Sequence, residues 1–254
     1  MATYKKRGGK QKTKKEKIEA IEDNSTTAEV FNTLDESASK TEEWVIKNQN
    51  YIFGVVGIVA VVILGIMGYN RFIAEPTAKE AMNEMYKAQT YFNEAVNGVD
   101  QDSLFNLALN GGEGKYGMLD IIDEYGSTPA GNLANYYAGM AYLNLKDYQN
   151  AISYLSAFSS DDKMLSPIAK GGIGDAFVQL NQLEDGLDYY KRAISDNSNE
   201  FTTPIYLLKA AKVALELDRV KEAIDYLNRI KEEYPDSLEA KDVEVLIGMA
   251  EAKL

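Results

Sequence analysis

The residue types that most often carry catalysis are missing from this chain. Its 254 residues contain no cysteine and no histidine. That removes thiolate and imidazole metal ligands, cysteine nucleophiles, disulfides and histidine acid–base chemistry. The remaining candidates are adjacent acids and a glycine cluster. Asp161 with Asp162, and Glu232 with Glu233, fall at expected turns or helix ends and read as solvated. Gly111, Gly112 and Gly114 surround Glu113, but neither a Lys-Ser/Thr pair nor a preceding strand accompanies them, so they read as a turn and not as a phosphate loop. No catalytic constellation, metal site or cofactor is expected, and the chain reads as a non-enzyme. Its chemistry is that of surfaces, and spacing is what builds them.

One such spacing lies in an apolar run. No charged residue occurs between Lys47 and Arg71, and residues 51–69 are apolar apart from Tyr51 and Tyr69 at the ends. A helix of that length spans roughly 28 Å at about 1.5 Å per residue, close to the hydrocarbon thickness of a bilayer. The two tyrosines, with Trp44 upstream, match the aromatic belt of a membrane helix. The run is too long and too uniformly apolar for a core helix. It follows fifty residues and precedes no small-residue cleavage site, so it reads as an uncleaved signal-anchor. At 100° per residue Gly54, Gly57, Gly65 and Gly68 share one face, a candidate helix-packing face.

Charge gives the run a direction. Residues 1–17 hold eight basic residues and one acid, residues 18–50 are net acidic, and residues 71–254 hold 17 basic and 30 acidic residues. The positive-inside rule places the N-terminus in the cytoplasm. The acidic C-terminal part is not expected to bind nucleic acid. The basic tip reads as a solvated, topology-setting tail, with contact to anionic lipid or ribosomal RNA as the alternative. Residues 1–24 have a disordered composition, residues 25–37 fit a short amphipathic helix with Val30, Phe31 and Leu34 on one side, and Thr41 starts a helix that can run into the span.

Past Pro76 the chain is amphipathic and repeats itself. Gly139, Gly174 and Ala211 recur at spacings of 35 and 37 residues, and so do Ala151, Gly186 and Ala223. A small residue on a first helix lets a second helix pack closely, and a small residue early in the second receives the first in return. Tyr142 and Phe177 supply bulk a turn after the first small residue, where the third window has Ala214. Pro235 ends the last second helix. No glycine marks the turns, which carry Lys146, Asn181 and Asp218. These windows resemble tetratricopeptide repeats. The resemblance implies an α-solenoid of helix hairpins, and with the apolar run the expected fold is all-α, a single transmembrane helix followed by that solenoid. The expected divisions are a basic tail (1–40), a helix containing the span (41–75), a degenerate repeat (76–131), three repeats (132–237) and a capping helix (238–254). Within 76–131, helices are expected at 77–97 and 116–125, separated by an insert at 98–115. The final helix is expected over 237–253.

In the tetratricopeptide pattern the inner surface would be lined by Leu133, Tyr136, Met140 and Leu143, then Ile168, Asp175 and Val178, then Ile205, Leu208, Lys212 and Leu215. That set is largely apolar and suits an extended or helical peptide. Repeat domains that clamp the C-terminal carboxylates of a chaperone use Lys and Asn where Tyr136 and Met140 stand here, so that activity is not expected. A stack with an exposed end helix is also compatible with a homodimer.

The layout as a whole resembles the YfgM-like ancillary tetratricopeptide proteins of the Sec translocon. The runs Thr26-Thr-Ala-Glu-Val-Phe-Asn-Thr-Leu-Asp-Glu and Asn110-Gly-Gly-Glu-Gly-Lys-Tyr-Gly-Met-Leu-Asp look like the Bacteroidota branch of that family. The resemblance implies a bacterial inner-membrane protein with its repeats in the periplasm. Its partners would be SecYEG, periplasmic chaperones or newly translocated client polypeptides, and membrane lipid. The alternative is a scaffold subunit of another envelope assembly, for outer-membrane biogenesis, secretion or motility.

Overall fold

The computed structural model describes residues 39, 41–98, 100–196 and 198–253. The expectations for residues 1–24 and 25–37 lie outside them. Contacts divide the chain into two units, one ending at Tyr69 and one beginning at Asn70.

In the first unit residues 41–47 are helical, and the backbone ladder passes through Asn48, whose N–H donates to Trp44 O and whose O accepts from Ile52 N. Helix α1 follows, Gln49–Tyr69. It buries none of its residues, and an 18-residue window has a mean hydropathy of 2.6. By length and composition it can cross a membrane.

Among the described residues the second unit is helical, with a single isolated bridge between Gly112 and Lys115. A π turn, Asn70–Ala74, leads to α2, Glu75–Asn97, which carries Pro76 in its first turn, where a missing N–H costs nothing. Ala81, Met85, Ala88, Phe92 and Ala95 recur at three- and four-residue steps and form its buried stripe. Two short helices follow, α3 (Gln101–Asn110) and α4 (Met118–Tyr125). The insert expected at 98–115 is therefore mostly a helix. Phe105, Ala108 and Leu109 of α3 are buried, and Phe105 meets Phe92 edge-on at 5.5 Å. The second helix starts at Met118, because Gly117 N–H donates to Asp120 Oδ2 at 2.9 Å and stops the helix there. Between them, Lys115 N–H donates to Gly112 O around Glu113 and Gly114, both at positive φ, so the glycine cluster is a tight turn.

Three hairpins complete the stack: α5 (Pro129–Asn144) with α6 (Tyr148–Ala157), α7 (Leu165–Gln179) with α8 (Leu183–Asp196), and α9 (Thr202–Glu216) with α10 (Val220–Glu233). Each helix packs on the next in the chain, and the first helix α7 also touches the first helices on either side of it, α5 and α9. The three hairpin turns share one geometry. Lys146, Asn181 and Asp218 take φ of 62°, 59° and 55°. The following N–H (Asp147, Gln182, Arg219) donates back to Tyr142, Phe177 and Ala214 O, which is the Schellman closure usually given to glycine. Asn and Asp tolerate this region better than Lys does.

The starts of the first helices are capped in three ways. Thr128 Oγ1 accepts from Gly131 N–H. Asp162 Oδ1 accepts from Met164 and Leu165 N–H at 2.8 and 2.9 Å. Asn199 Oδ1 accepts from Phe201 and Thr202 N–H at 2.9 and 2.8 Å. Asp162 thus has a structural task as a helix cap, and the bonds from Leu165 and Met164 hold its carboxyl below the usual range. The final helix α11 is shorter than the sequence suggests. Residues Glu239–Asp242 form a 3-10 turn held by Ser237 Oγ, and α11 runs only over Val243–Glu251.

Candidate partner-binding surface

The row formed by α5, α7 and α9 is the natural inner wall of such a stack, and its centre is α7. Three glycines thin α7 on three sides. A Cβ on Gly174 would meet the Tyr190 ring of α8 at 2.7 Å. One on Gly172 would meet Leu155 at 3.1 Å, Met140 Sδ at 3.5 Å and Leu143 at 3.6 Å. One on Gly171 would fall inside the Tyr206 ring of α9. So α7 receives α6, α8 and α9 side chains at backbone distance. The same logic explains the other small positions. A Cβ on Gly139 would lie 2.5 Å from Leu155 Cγ, and one on Gly186 2.6 Å from Val178 Cγ2. Leu155, Tyr190 and Leu227 each follow their small first-helix residue by the same interval and are all buried.

These approaches fix where the eleven candidate groove residues go. Leu133 packs on the N-terminal core. Tyr136 meets Phe158 at 5.3 Å and Tyr137 at 5.6 Å. Met140 and Leu143 lie against Gly172, and Val178 against Gly186. Leu208 and Leu215 pack on the C-terminal core. Ile168 is half-buried. Only Ile205 and Lys212 are exposed.

Asp175 is also engaged. Lys209 Nζ donates to both of its carboxylate oxygens at 2.7 Å, and Tyr190 OH donates to Oδ1 at 2.7 Å. Lys209 Nζ lies 5.6 Å from the Tyr206 ring centre and 5.9 Å from that of Tyr190, and the two rings stack at 6.1 Å. Burial first, then the Asp175 charge, pushes both phenols well above their ordinary value. The cluster joins α7, α8 and α9. Lys209, Tyr190 and Tyr206 are absent from the sequence-derived set. The available signal was the interval from Gly174 to Tyr190, which repeats that from Gly139 to Leu155. Further pairs bridge the same two hairpins, Lys191 to Glu222 at 2.6 Å and Arg219 to Glu184 at 2.7 Å. They are partly exposed and add little stability each.

In α1 a Cβ at Gly54, Gly57, Gly65 or Gly68 would meet nothing within 4 Å.

Two family models, each described as tetratricopeptide repeat, match the chain, over residues 133–161 and 172–237. No curated protein matches it, and no solved structure does. The matched stretches hold the hairpin α5–α6, most of α7–α8 and the hairpin α9–α10. The stacked hairpins over these residues match tetratricopeptide repeats, which supports a tetratricopeptide-repeat protein.

Proposed function

We propose that this chain is a non-catalytic, membrane-anchored adaptor. Its span holds the repeats on the outer face of a bacterial inner membrane, beside SecYEG, where they help handle newly translocated polypeptides. One observation carries the reading: an apolar helix of membrane-crossing length with no buried residue and a stack of protein-interaction repeats occur in the same chain. The repeats support a partner that is a protein. The acidic, histidine-free, cysteine-free composition supports a task of holding and not of transforming. A partner lying along the first-helix row meets Ile205 and Lys212, while the half-buried groove residues keep the wall in shape.

The test is co-purification of the full chain in mild detergent, followed by mass spectrometry. SecYEG subunits and periplasmic chaperones are the expected partners. Stable recovery of components of another envelope assembly, with no SecYEG, overturns the translocon assignment and leaves a scaffold for that assembly.

A further inference from the structure

Helix α11 stands where the first helix of a further hairpin would stand. It packs on α10 as α7 packs on α6 and α9 on α8. A stack of repeats keeps its last helix soluble with a polar outer face, and α11 departs from that rule. Val243 and Ala250 are buried against the repeats, with Leu246 and Ile247 partly buried beside them. At 100° per residue the opposite face carries Val245, Gly248, Met249 and Ala252. Leu238 precedes it, just before the 3-10 turn. Leu238, Val245 and Met249 are 75%, 64% and 63% exposed, and a Cβ on Gly248 would meet nothing within 4 Å.

The charges around this face are arranged about its middle. Lys241 and Asp242 are exposed where α11 begins, and Glu251 and Lys253 where it ends. Glu244, farther round the helix, pairs with Lys231 of α10 at 2.9 Å, so its charge is matched within the chain. Lys241, Asp242, Glu251 and Lys253 form no ion pair among the described residues. On the helical wheel Lys241 and Glu251 lie on one side of the apolar face, and Asp242 and Lys253 on the other. Each side therefore has one base and one acid, at opposite ends. An antiparallel copy of the same helix presents an acid to each of these bases and a base to each of these acids. An anionic lipid surface does not, because residues 71–254 hold 30 acids against 17 bases and are repelled by it.

We infer that the outer face of α11 is a self-association site, occupied by α11 of a second copy of this chain. The two helices cross antiparallel about a two-fold axis near Gly248. The missing side chain there lets the two backbones approach closely. Val245 of each copy packs beside Met249 of the other. Across the seam Lys241 faces Glu251, and Asp242 faces Lys253. These charges fix the direction of pairing more than its strength. A helix of 9 residues is short of the roughly 20–30 residues a side of a standard interface, so the pair is a transient one. The inference is independent of SecYEG and of the membrane anchor.

The experiment exploits a chain without cysteine. Gly248→Cys places one thiol at the crossing point. Two-fold symmetry brings it against its own copy, within the about 4–7 Å between Cα atoms that a disulfide spans. The full chain in neutral detergent is oxidised with copper phenanthroline, and linked dimer is read on a non-reducing gel. Gly248→Cys should link well above Gln149→Cys, an exposed position on α6. Adding Val245→Glu should reduce the Gly248→Cys link by about tenfold or more, because a carboxylate then enters an apolar seam. That change leaves α1 intact, so it separates this pair from any association through the span. In the same background Asp242→Lys should weaken the link, and Lys253→Asp added to it should restore the link. Circular dichroism checks the fold, and the charge swap decides if Val245→Glu does not fold. Linking of Gly248→Cys no greater than that of Gln149→Cys overturns the inference. So does a link that survives Val245→Glu in a folded chain, or a charge swap that fails to restore it. Shielding of the Gly248→Cys thiol from a maleimide by phosphatidylglycerol vesicles, without a self-link, assigns the face to lipid and also overturns it.

Discussion

Helices α1 and α7 both carry several glycines, and the two sets meet opposite surroundings. In α7, Gly171, Gly172 and Gly174 are each filled from a different neighbour, by Tyr206, by Leu155 with Met140 and Leu143, and by Tyr190. In α1, Gly54, Gly57, Gly65 and Gly68 face open space. Glycine costs a helix interior up to about 1 kcal/mol relative to alanine. In α7 that cost is offset within the chain by close packing. In α1 nothing in the described chain offsets it.

The largest expected effect comes from breaking the filled set. Gly171→Ala puts a methyl into the buried, stacked Tyr206 ring. Overpacking of this kind costs about 1–3 kcal/mol and outweighs the helix-propensity gain, so thermal unfolding of the repeats should shift down clearly. Removing the obstacle tests the cause: Gly171→Ala combined with Tyr206→Ala should be less damaging than the sum of the two single changes, measured as a double-mutant cycle.

A pH series probes the same packing more gently. The Tyr190 and Tyr206 phenols are raised well above their ordinary value near 10 by burial and the Asp175 charge. A raised acid stabilises the fold fully below its unfolded pKa, and that contribution is lost as pH climbs toward the folded value. The melting temperature should show no loss from these phenols between pH 7 and 9 and should fall above roughly pH 10. Asp175→Asn should make the phenols easier to ionise, read as increased absorbance near 295 nm at a given alkaline pH.

How much of this was legible in the sequence follows from the same distances. The repeats were readable because close helix approach demands a small residue at a fixed interval, and Gly139, Gly174 and Ala211 satisfy it. Pro235 marked the end of α10 for a local steric reason. Helix α3 was not readable as a helix because its 10 residues lie between Gly98 and the turn at Gly111, and that flanking chemistry suggests a loop. The groove set was legible only as positions on first helices. Whether Met140 or Leu143 faces a partner depends on how closely α7 approaches, and that depends on Gly172 some thirty residues away. The Asp175–Lys209–Tyr190 cluster was hidden for the same reason, since its members come from three helices.

The smallest effect is expected where the glycines are open. Gly57→Ala meets no atom within 4 Å and should leave unfolding of the repeats unchanged. Replacing Gly54, Gly57, Gly65 and Gly68 together with Leu should also leave it unchanged while reducing co-purification of a membrane partner. Undiminished co-purification would show that this face is not the contact.

The most direct test of the anchored adaptor uses the absence of cysteine. Single changes, Lys10→Cys before the span and Gln149→Cys on the exposed side of the repeats, each supply one thiol for a membrane-impermeant maleimide. In intact spheroplasts the account predicts labelling of Gln149→Cys without lysis and of Lys10→Cys only after lysis. The reverse pattern, or labelling of Gln149→Cys only after lysis, contradicts it.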